Sequence, residues 1–505
     1  MATYLLGIDN GSTTIKAAIF DTAGREIAVH GVTSSVHTPG PGLFERTLEE
    51  IWRANVEVIR GAIEKSGVDP ADIACCAVTG HGGGVHMVDA RGAAVYPAME
   101  GVDTRAAGVV SRWMADGTFD RVHSRVMQSW FPAQQAPLLR WLVENEPNAL
   151  EKALWILSIK DYVRYRLTGE AFSEITSSSA SGMMNVRDAR WDAELLDELG
   201  IRAILEKLPP LKLSADLCGA VCAETSRLTG LREGMPVAGG MWDVDSAAIA
   251  TGVLDDGMLN IVAGTWSNNQ FVSRTPVVSK SIFMTTVFAV PGFWLMLEGS
   301  PTSASNLEWF VKELMGEERQ QAAQAGSSVY EICNREVAST TAAENVPVFL
   351  PFLYGSNAGA DAQGAFLGLN GQHRRAHLLR AVYEGVAFSH RTHIEKLAAV
   401  HALPKAARIA GGVSGSPVWV QMFADVLQLS VECISAHELG ALGCAITAGV
   451  ACGIFPSYEK GVQAMVRVSC RVEPDAAAGE AYEKKYRRYR AAAGAAGSFG
   501  STARE

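Results

Sequence analysis

The sequence predicts an α/β protein built from two related domains. Short apolar runs typical of strands alternate with longer segments of helical spacing, as they do in α/β folds. An apolar strand, a small polar turn and a second strand occur at residues 5–21, and the same order returns at 259–273. Two such hairpins suggest an internally duplicated fold with one hairpin per domain. No stretch rich in Pro or Ser separates the halves, so we expect two domains that share a cleft.

The first half of the chain starts with strands and continues with helices. Residues 1–35 alternate like strands, with a hairpin turn that ends at Gly24. Helical spacing follows, and then two short apolar runs on either side of a loop that begins at Gly80 and consists of one His and four Gly. The predicted helices are 47–65, 136–142, 154–167 and 191–199, with Gly169 and Gly200 as C-caps, and the predicted strands are 73–79 and 85–89.

The second half returns to strands, turns and helices. Residues 373–400 have the spacing of a long amphipathic helix. Residues 409–417 indicate a strand, a glycine-rich turn and a helix start, because Pro417 suits the first helical turn. A helix over 419–427 follows. The Ala/Gly/Ser-rich segment 491–505 is expected to be a flexible tail.

Composition excludes several classes of function. The chain has 505 residues and a net charge of −10, which argues against nucleic acid or an anionic membrane as a partner. Its nine cysteines are scattered and show neither zinc spacing nor a disulfide framework. No apolar run reaches the roughly 18 residues of a membrane helix, and no signal peptide is recognisable. We therefore expect a soluble cytoplasmic protein.

Three turns of glycine and hydroxyl residues follow predicted strands, at residues 9–14, 264–267 and 411–416. No P-loop motif and no dinucleotide fingerprint occur. Backbone amides in such turns can bind a nucleotide, the first two turns its phosphates and the third its nucleoside. In the first turn, Gly11 permits close approach to a ligand, and Asp9 at the strand end can hold a hydrated Mg²⁺. An ordinary polar turn is the alternative.

Asp243 and Asp245 lie where a strand gives way to a helix. One of them can serve as a helix N-cap, and we assign that role to Asp245. Asp243 is then the candidate general base, which takes a proton from a substrate hydroxyl as that hydroxyl attacks a γ-phosphoryl group.

Taken together, these residues resemble the FGGY family of carbohydrate kinases over about residues 4–455. No single motif is diagnostic of this family, but the number of matching motifs and their order along the chain are. The matching segments, in chain order, are 7–14, Glu45 with Trp52, 80–82, 103–105, 160–169, 208–210 with Gly219, 240–243, 264–265, 380–385, 411–416, 421–425 and 440–443. The segments 421–425 and 440–443 are taken as continuing the nucleoside region.

The resemblance implies two ribonuclease-H-like domains of the actin-like ATPase type, each a mixed sheet flanked by helices, with a nucleotide cleft between them. The expected boundaries are 1–247 for the N-terminal domain, with the sugar site and a helical insert, and 248–490 for the nucleotide-binding C-terminal domain. ATP and Mg²⁺ are the implied cofactors. Residues implied to bind them are Asp9 (also the metal ligand), Gly11, Ser12, Thr13, Thr14, Lys16, Gly264, Thr265, Gly411, Gly412 and Ser416. Asp243 is implied as the catalytic base, and the implied sugar ligands are His81, Gly82, Asp103, Arg105, Trp242 and Asp243 itself.

The loop after Gly80 bears on the substrate. D-Xylulose kinases have Gln-Met-His-Gly in this place and glycerol kinases have an Arg-Glu pair, and both are absent here. The sequence His81-Gly-Gly-Gly84 is more similar to the His-Gly-Lys-Gly of L-xylulose kinases, with Gly83 in place of Lys. The segments 350–357 and 264–266 agree with that similarity. The favoured substrate is therefore L-xylulose, then D-xylulose, with ribulose, 3-keto-L-gulonate or erythritol as alternatives.

Two other readings remain. The same fold occurs in actin-like ATPases that act as conformational switches, but no length is left for a separate partner-binding domain. A catalytically inactive sugar sensor is disfavoured because Asp9, Asp243 and the glycines are all present. His81 is as well explained by a structural role as by a sugar contact, and His86 is taken as structural. A homodimer is expected from family habit.

Overall fold

The computed structural model describes residues 3–356 and 362–502, with side chains as far as 497. The predicted motif at 350–357 therefore ends outside the described residues, at Asn357. The chain forms two compact units. Unit 1 comprises Met1–Asp255, Val272–Met296 and Ala436–Val466, and unit 2 comprises Asp256–Phe271, Leu297–Ser435 and Arg467–Glu505.

The strands are numbered in chain order. They are β1 (Tyr4–Asn10), β2 (Thr14–Asp21), β3 (Glu26–Thr33), β4 (His37–Gly40), β5 (Leu43–Arg46), β6 (Ile73–Gly80), β7 (His86–Val88), β8 (Ala98–Met99), β9 (Trp155–Leu157), β10 (Ser173–Glu174), β11 (Met184–Asn185), β12 (Arg190–Trp191), β13 (Leu211–Lys212), β14 (Leu217–Ala220), β15 (Pro236–Ala238), β16 (Met241–Trp242), β17 (Leu259–Ala263), β18 (Ser267–Ser273), β19 (Met284–Val287), β20 (Trp294–Ser300), β21 (Val348–Leu350), β22 (Ala365–Leu367), β23 (Ala406–Ala410), β24 (Ser430–Ile434) and β25 (Val468–Val472).

The α-helices follow the same convention. They are α1 (Leu48–Ser66), α2 (Ala107–Ala115), α3 (Thr118–Val126), α4 (Gln135–Asn145), α5 (Pro147–Lys152), α6 (Ile159–Thr168), α7 (Ile175–Ser179), α8 (Ala193–Glu198), α9 (Ala223–Thr229), α10 (Asp243–Thr251), α11 (Ser305–Leu314), α12 (Gly316–Gln324), α13 (Val329–Ala338), α14 (Arg375–Ala398), α15 (Pro417–Leu427), α16 (Leu439–Ala451), α17 (Tyr458–Met465) and α18 (Ala476–Thr502). Short 3₁₀ helices occupy Pro70–Asp72, Arg202–Lys207 and Gly412–Gly415.

The main sheet of unit 1 has the order β14-β15-β6-β1-β2-β3, and β16 also pairs with β6. Strand β1 is antiparallel to β2 and parallel to β6. Apolar side chains of these strands are buried against α1 and α6, among them Ile8, Ile59 and Val78. The helix predicted over 47–65 is α1, which begins with a full capping box at Thr47 and Glu50 and has its C-cap at Gly67 in the left-handed region.

Unit 2 repeats this arrangement. Its sheet runs β20-β18-β17-β23-β24-β25, in which β17 is antiparallel to β18 and parallel to β23. Each predicted hairpin therefore lies within the main sheet of one unit. Its first strand is antiparallel to the second strand of the hairpin and, on its opposite edge, parallel to a third strand. The predicted duplication and the mixed sheets flanked by helices are confirmed.

Two predicted helices differ from the structure. Residues 155–157, expected to be helical, form β9, which pairs with β7, and α6 begins only at Ile159. Trp191 likewise ends strand β12, and α8 begins at Ala193. For β9 the strand partner is distant in sequence, whereas β12 pairs with the nearby β11 in a local hairpin; in both places strand pairing overrides local helical spacing. The segment expected to be a flexible tail is helical as far as Thr502.

Candidate active site

Three parallel strand ends of unit 1 bring the predicted catalytic residues together. Strand β6 lies beside β1 and β16, and Gly80 is the register partner of both Asn10 and Trp242. The residues at or just after these ends, Asp9, His81 and Asp243, therefore lie at one edge of the sheet. This carboxyl edge is where α/β sheets commonly bind ligands.

The turn after β1 is tight and carries accessible hydroxyl groups. A Cβ at Gly11 would lie 2.8 Å from the Thr14 carbonyl oxygen, so the turn is closed tightly around a glycine. Thr13 is exposed, while Ser12 and Thr14 are partly buried. These hydroxyl and amide donors remain accessible to an anionic ligand.

Asp9 lies against the first turn of α16, which sequence reasoning missed. A Cβ at Gly440 would overlap the Asp9 carboxylate, so any other residue here would have to displace that side chain. The Lys16 ammonium is held by Glu438, with Nζ–Oε distances of 3.0 and 2.9 Å. We took 440–443 as part of the nucleoside region, and that is wrong: the segment belongs to unit 1 and packs beside Asp9. The 430 or so intervening residues hide this proximity in the sequence.

Asp9 and Asp243 are both harder to ionise than ordinary carboxyls. Burial raises the pKa of Asp9 to about 6, with Lys16 acting in the opposite direction. Burial and then the charge of Asp9 raise the pKa of Asp243 to about 7. A carboxyl with a pKa near neutrality is well matched to accepting a proton from an alcohol.

The turn that carries Asp243 is fixed by a buried polar chain. The Trp242 amide donates to Thr176 Oγ1 at 2.8 Å, and this hydroxyl donates to Glu174 Oε2 at 2.8 Å. Lys160 Nζ lies 3.0 Å from the same Glu174 oxygen. Asp243 is thereby held at the first position of α10.

The N-cap role assigned to Asp245 is wrong. Trp242 occupies the N-cap of α10, and no side chain caps it. Asp245 is the third residue of α10 and is fully buried, and its Oδ1 accepts from the Ala289 amide at 3.0 Å. Burial raises the pKa of Asp245 well above its usual range.

His81 belongs to a buried ionic network. Its Nε2 lies 3.3 Å from Glu100 Oε2, and Arg46 donates to both Glu100 oxygens at 2.8 and 2.7 Å. Burial works against a charged His81 ring, but the Glu100 carboxylate outweighs it and raises the pKa of His81. His86, by contrast, is buried within β7, and burial lowers its pKa to about 3.

The side chains of Asp103 and Arg105 form an ion pair with each other. Arg105 Nε and Nη2 donate to the two Asp103 oxygens at 2.9 and 2.8 Å, and Nη2 also donates to Glu45 at 2.7 Å. Asp103 additionally accepts from the amides of Phe44 and Arg105. It is fully buried. The structure therefore places this pair inside the fold, bracing the loop that precedes α2.

The glycine loop after β6 packs tightly. A Cβ at Gly82 would lie 2.6 Å from Trp242 Nε1, so the loop rests against the indole. Gly83 and Gly84 have φ of +74° and +76°, which L side chains rarely adopt. These glycines therefore allow the loop to pack closely against Trp242, Ala133 and Met99.

The residues near Asp9 suit a metal that is bound mainly through a substrate. No group of three or more His, Cys, Asp or Glu side chains able to hold a metal occurs in the described part of the chain. Mg²⁺ needs no such cage, because it retains waters and binds one or two carboxylates together with phosphate oxygens. The carboxylates of Asp9 and Asp243, close enough to raise one pKa through the other, fit that requirement.

Unit 2 contains a cavity of about 480 Å³ built from the other predicted turns. Gly264, Thr265, Gly412 and Ser416 all line it. Gly411 has φ +92°, and a Cβ there would lie 2.6 Å from the Ala263 carbonyl oxygen. Thr265 is exposed, so its hydroxyl is accessible.

Aromatic and amide side chains complete this cavity. Tyr383 and Trp419 stack on each other with ring centroids 4.0 Å apart. Asn334, on α13, also lines the cavity and was not identified from the sequence. A volume of this size, with stacked rings and a few polar groups, suits a nucleoside.

The two α/β units, the carboxylates at the sheet edge of unit 1 and the cavity of unit 2 are features expected of a phosphotransferase. Family models bear this out: the N-terminal domain of the FGGY family of carbohydrate kinases matches residues 4–250, and the C-terminal domain matches 259–452. The chain belongs to the FGGY family of carbohydrate kinases. It is accordingly a sugar kinase, with a small sugar as acceptor, and ATP as donor follows from the family.

Similar proteins cover nearly the whole chain. An L-xylulose/3-keto-L-gulonate kinase of Escherichia coli (strain K12) is 36% identical over 97% of this chain and 96% of its own. A probable L-xylulose kinase of Pasteurella multocida (strain Pm70) is 35% identical over 96% of this chain and 97% of its own. The xylulose kinase structure from Rhodospirillum rubrum has a TM-score of 0.84 at 26% identity, with coverages of 97% and 98%. No helix in the described ranges combines the length and hydropathy needed to span a bilayer.

Proposed function

We propose that the protein transfers the γ-phosphoryl group of ATP to a hydroxyl of a ketopentose, with L-xylulose favoured and D-xylulose next. The names of its similar proteins and the glycine loop at 82–84 support this substrate class. Ribulose, erythritol and 3-keto-L-gulonate are the alternatives, the last supported by the name of the E. coli relative.

Asp243 is the proposed general base. Its position at the N-terminus of α10 and its raised pKa carry this assignment. The carboxylate takes the hydroxyl proton as the sugar oxygen forms a bond to the γ-phosphorus, the bond from that phosphorus to the bridging oxygen breaks, and ADP leaves. His81, Gly82 and Trp242 are proposed to contact the sugar. Asp103 and Arg105 are proposed to support its loop from within.

The remaining predicted residues are proposed to bind ATP. Asp9 would hold Mg²⁺, which when bound neutralises charge on the phosphates. The proposed phosphate ligands are Gly11, Ser12, Thr13, Thr14, Lys16, Gly264 and Thr265, and the proposed adenosine ligands are Gly411, Gly412 and Ser416. A homodimer in the cytoplasm remains a further proposal, which sedimentation and cell fractionation would test.

ATP consumption by the purified protein tests the proposal. The panel comprises L- and D-xylulose, L- and D-ribulose, erythritol, glycerol and 3-keto-L-gulonate, and each is assayed with wild type and Asp243→Asn. Asp256→Asn is the matched control, because Asp256 is exposed and is not among the proposed site residues. Turnover on one ketopentose that is lost only in Asp243→Asn supports the proposal. Turnover retained in that variant would rule out Asp243 as the base.

A further inference from the structure

Asn334 presents a fixed amide to the cavity of unit 2. Its Oδ1 accepts from the Tyr383 hydroxyl at 2.9 Å and from the Ser416 hydroxyl at 2.7 Å. In the part of the chain that the structure describes, these two contacts engage only the oxygen of the amide, and its Nδ2 has no protein acceptor. Because Asn334 lines the cavity, the free NH₂ group is the end of the side chain available to a ligand.

The orientation of the amide follows from its two hydroxyl partners. Ser416 Oγ already accepts from the Trp419 amide at 3.3 Å as the N-cap of α15, so its own proton is free to be donated. Burial raises the pKa of Tyr383, which therefore keeps its phenolic proton. Two donors converge on one acceptor, and an Asn carbonyl oxygen has two lone pairs to receive them.

We infer that Asn334 is the residue that distinguishes adenine from guanine, by donating an Nδ2 hydrogen bond to N1 of the purine. N1 is an acceptor in adenine but carries a proton in guanine, whereas N3 and N7 are acceptors in both. An NH₂ donor at N1 therefore accepts adenine and opposes guanine. This inference deepens the proposed function, since it requires that the cavity bind the nucleoside of ATP.

Stacked rings provide the surroundings that such a contact needs. Tyr383 and Trp419 are almost wholly buried and form one wall beside Asn334. Away from bulk water, a donor that faces another donor loses its hydration without replacement. Such a site would disfavour guanine mainly because the guanine N1–H and the Asn334 NH₂ group would both lack an acceptor, and less because of shape.

Calorimetric binding to the full-length wild-type protein is the first experiment. The ligands are ADP, GDP, 1-deaza-ADP and 7-deaza-ADP. We expect 1-deaza-ADP to bind at least about tenfold more weakly than ADP, while 7-deaza-ADP binds within about threefold. Equal binding of ADP and 1-deaza-ADP would overturn the inference, as would a loss confined to 7-deaza-ADP.

Asn334→Asp tests the same contact from the protein side. The carboxylate is isosteric and can still accept from Tyr383 and Ser416, but it offers an acceptor to the cavity. We expect the preference for ADP over GDP to fall by at least about tenfold, because guanine N1–H can now donate. Asn148→Asp is the matched control, since Asn148 is exposed at the start of α5.

Failure of the inference is distinguishable from failure of the proposed function. An unchanged ADP/GDP preference in Asn334→Asp, together with intact sugar phosphorylation, overturns the role of Asn334 alone. A wild-type protein that binds neither diphosphate overturns the nucleotide site in unit 2, and the inference with it.

Discussion

The carboxyl of Asp243 combines burial with a neighbouring negative charge, and both raise its pKa, to about 7. A general base works only when ionised, so its ionised fraction rises as pH rises through this value. We expect kcat/KM for the sugar, at saturating ATP and Mg²⁺, to fall on the acid side of about pH 7 and to be level above it. Mg²⁺ at Asp9 would offset the charge that contributes to the raised pKa of Asp243, so the midpoint should lie at or below 7. Initial rates over pH 5–9 would show this, and a profile without a fall on the acid side would contradict the assignment.

The buried Glu100 carboxylate pairs with two basic side chains, the Arg46 guanidinium and the His81 ring. Arg46 is 2% exposed and Glu100 is 1% exposed. Glu100→Gln leaves the Arg46 charge buried without its partner, and we expect a loss of about 3–5 kcal/mol in the free energy of unfolding. The pKa of His81 should fall in the same variant, since Glu100 is what raises it.

Urea unfolding and an NMR titration of the His81 ring would measure these two effects. The control is Glu198→Gln, which removes an exposed pair with Arg121 whose N–O distance is 3.0 Å. Exposed pairs contribute little, so we expect that change to stay within about 0.5 kcal/mol. Similar losses in the two variants would show that burial of the Glu100 network does not matter.

At the residue scale, the sequence predicts those site residues whose roles follow from their immediate neighbours in the chain. Asp9, Gly11 and Asp243 stand out because each follows an apolar strand and begins a turn or a helix. Gly440 and Asn334 do not, since their roles arise from contacts with residues far away in the chain. Such contacts leave no periodic trace in one sequence.

At the scale of elements, the first turn of α16 lies directly against Asp9. A Cβ at Gly440 would overlap the Asp9 carboxylate. We expect Gly440→Ala to displace Asp9 and to lower kcat by at least about tenfold, because a misplaced catalytic group loses its orientation. The fold should persist, since α16 is otherwise unchanged. Circular dichroism and steady-state kinetics would measure both.

Gly108→Ala is the control for this substitution. Gly108 lies on α2, and nothing lies within 4 Å of a Cβ placed there. Alanine is the better helix former by up to about 1 kcal/mol, so this variant should be as active as wild type and at least as stable. Wild-type activity in Gly440→Ala would show that Asp9 tolerates the methyl group.

Element boundaries were predictable where capping chemistry marks them. Thr47, Gly169 and Pro417 mark helix ends in the sequence and do so in the structure. Strand β9 was missed because its helical spacing is overridden by pairing with β7, about 70 residues earlier. Asp245 was misassigned because an Asp near a helix start is typical of a cap, whereas here it accepts from Ala289.

At the scale of the whole molecule, the proposed function places the sugar in unit 1 and the nucleoside in unit 2. ADP alone should protect amides of unit 2 from hydrogen exchange, above all in α13 and at Gly412–Gly415. The sugar alone should instead protect the loop after β6 in unit 1. Exchange measured by mass spectrometry would show which segments respond. Protection of the β6 loop by ADP alone would contradict this division.

The chain path of unit 1 has a consequence for synthesis. This unit is discontinuous, and its last segment, Ala436–Val466, includes the helix that packs on Asp9. A ribosome that has translated the first 255 residues has therefore released every strand of the main unit 1 sheet but not α16. The nascent unit must wait for roughly 180 further residues, about 10–40 s at ordinary rates of elongation, before α16 can pack against Asp9.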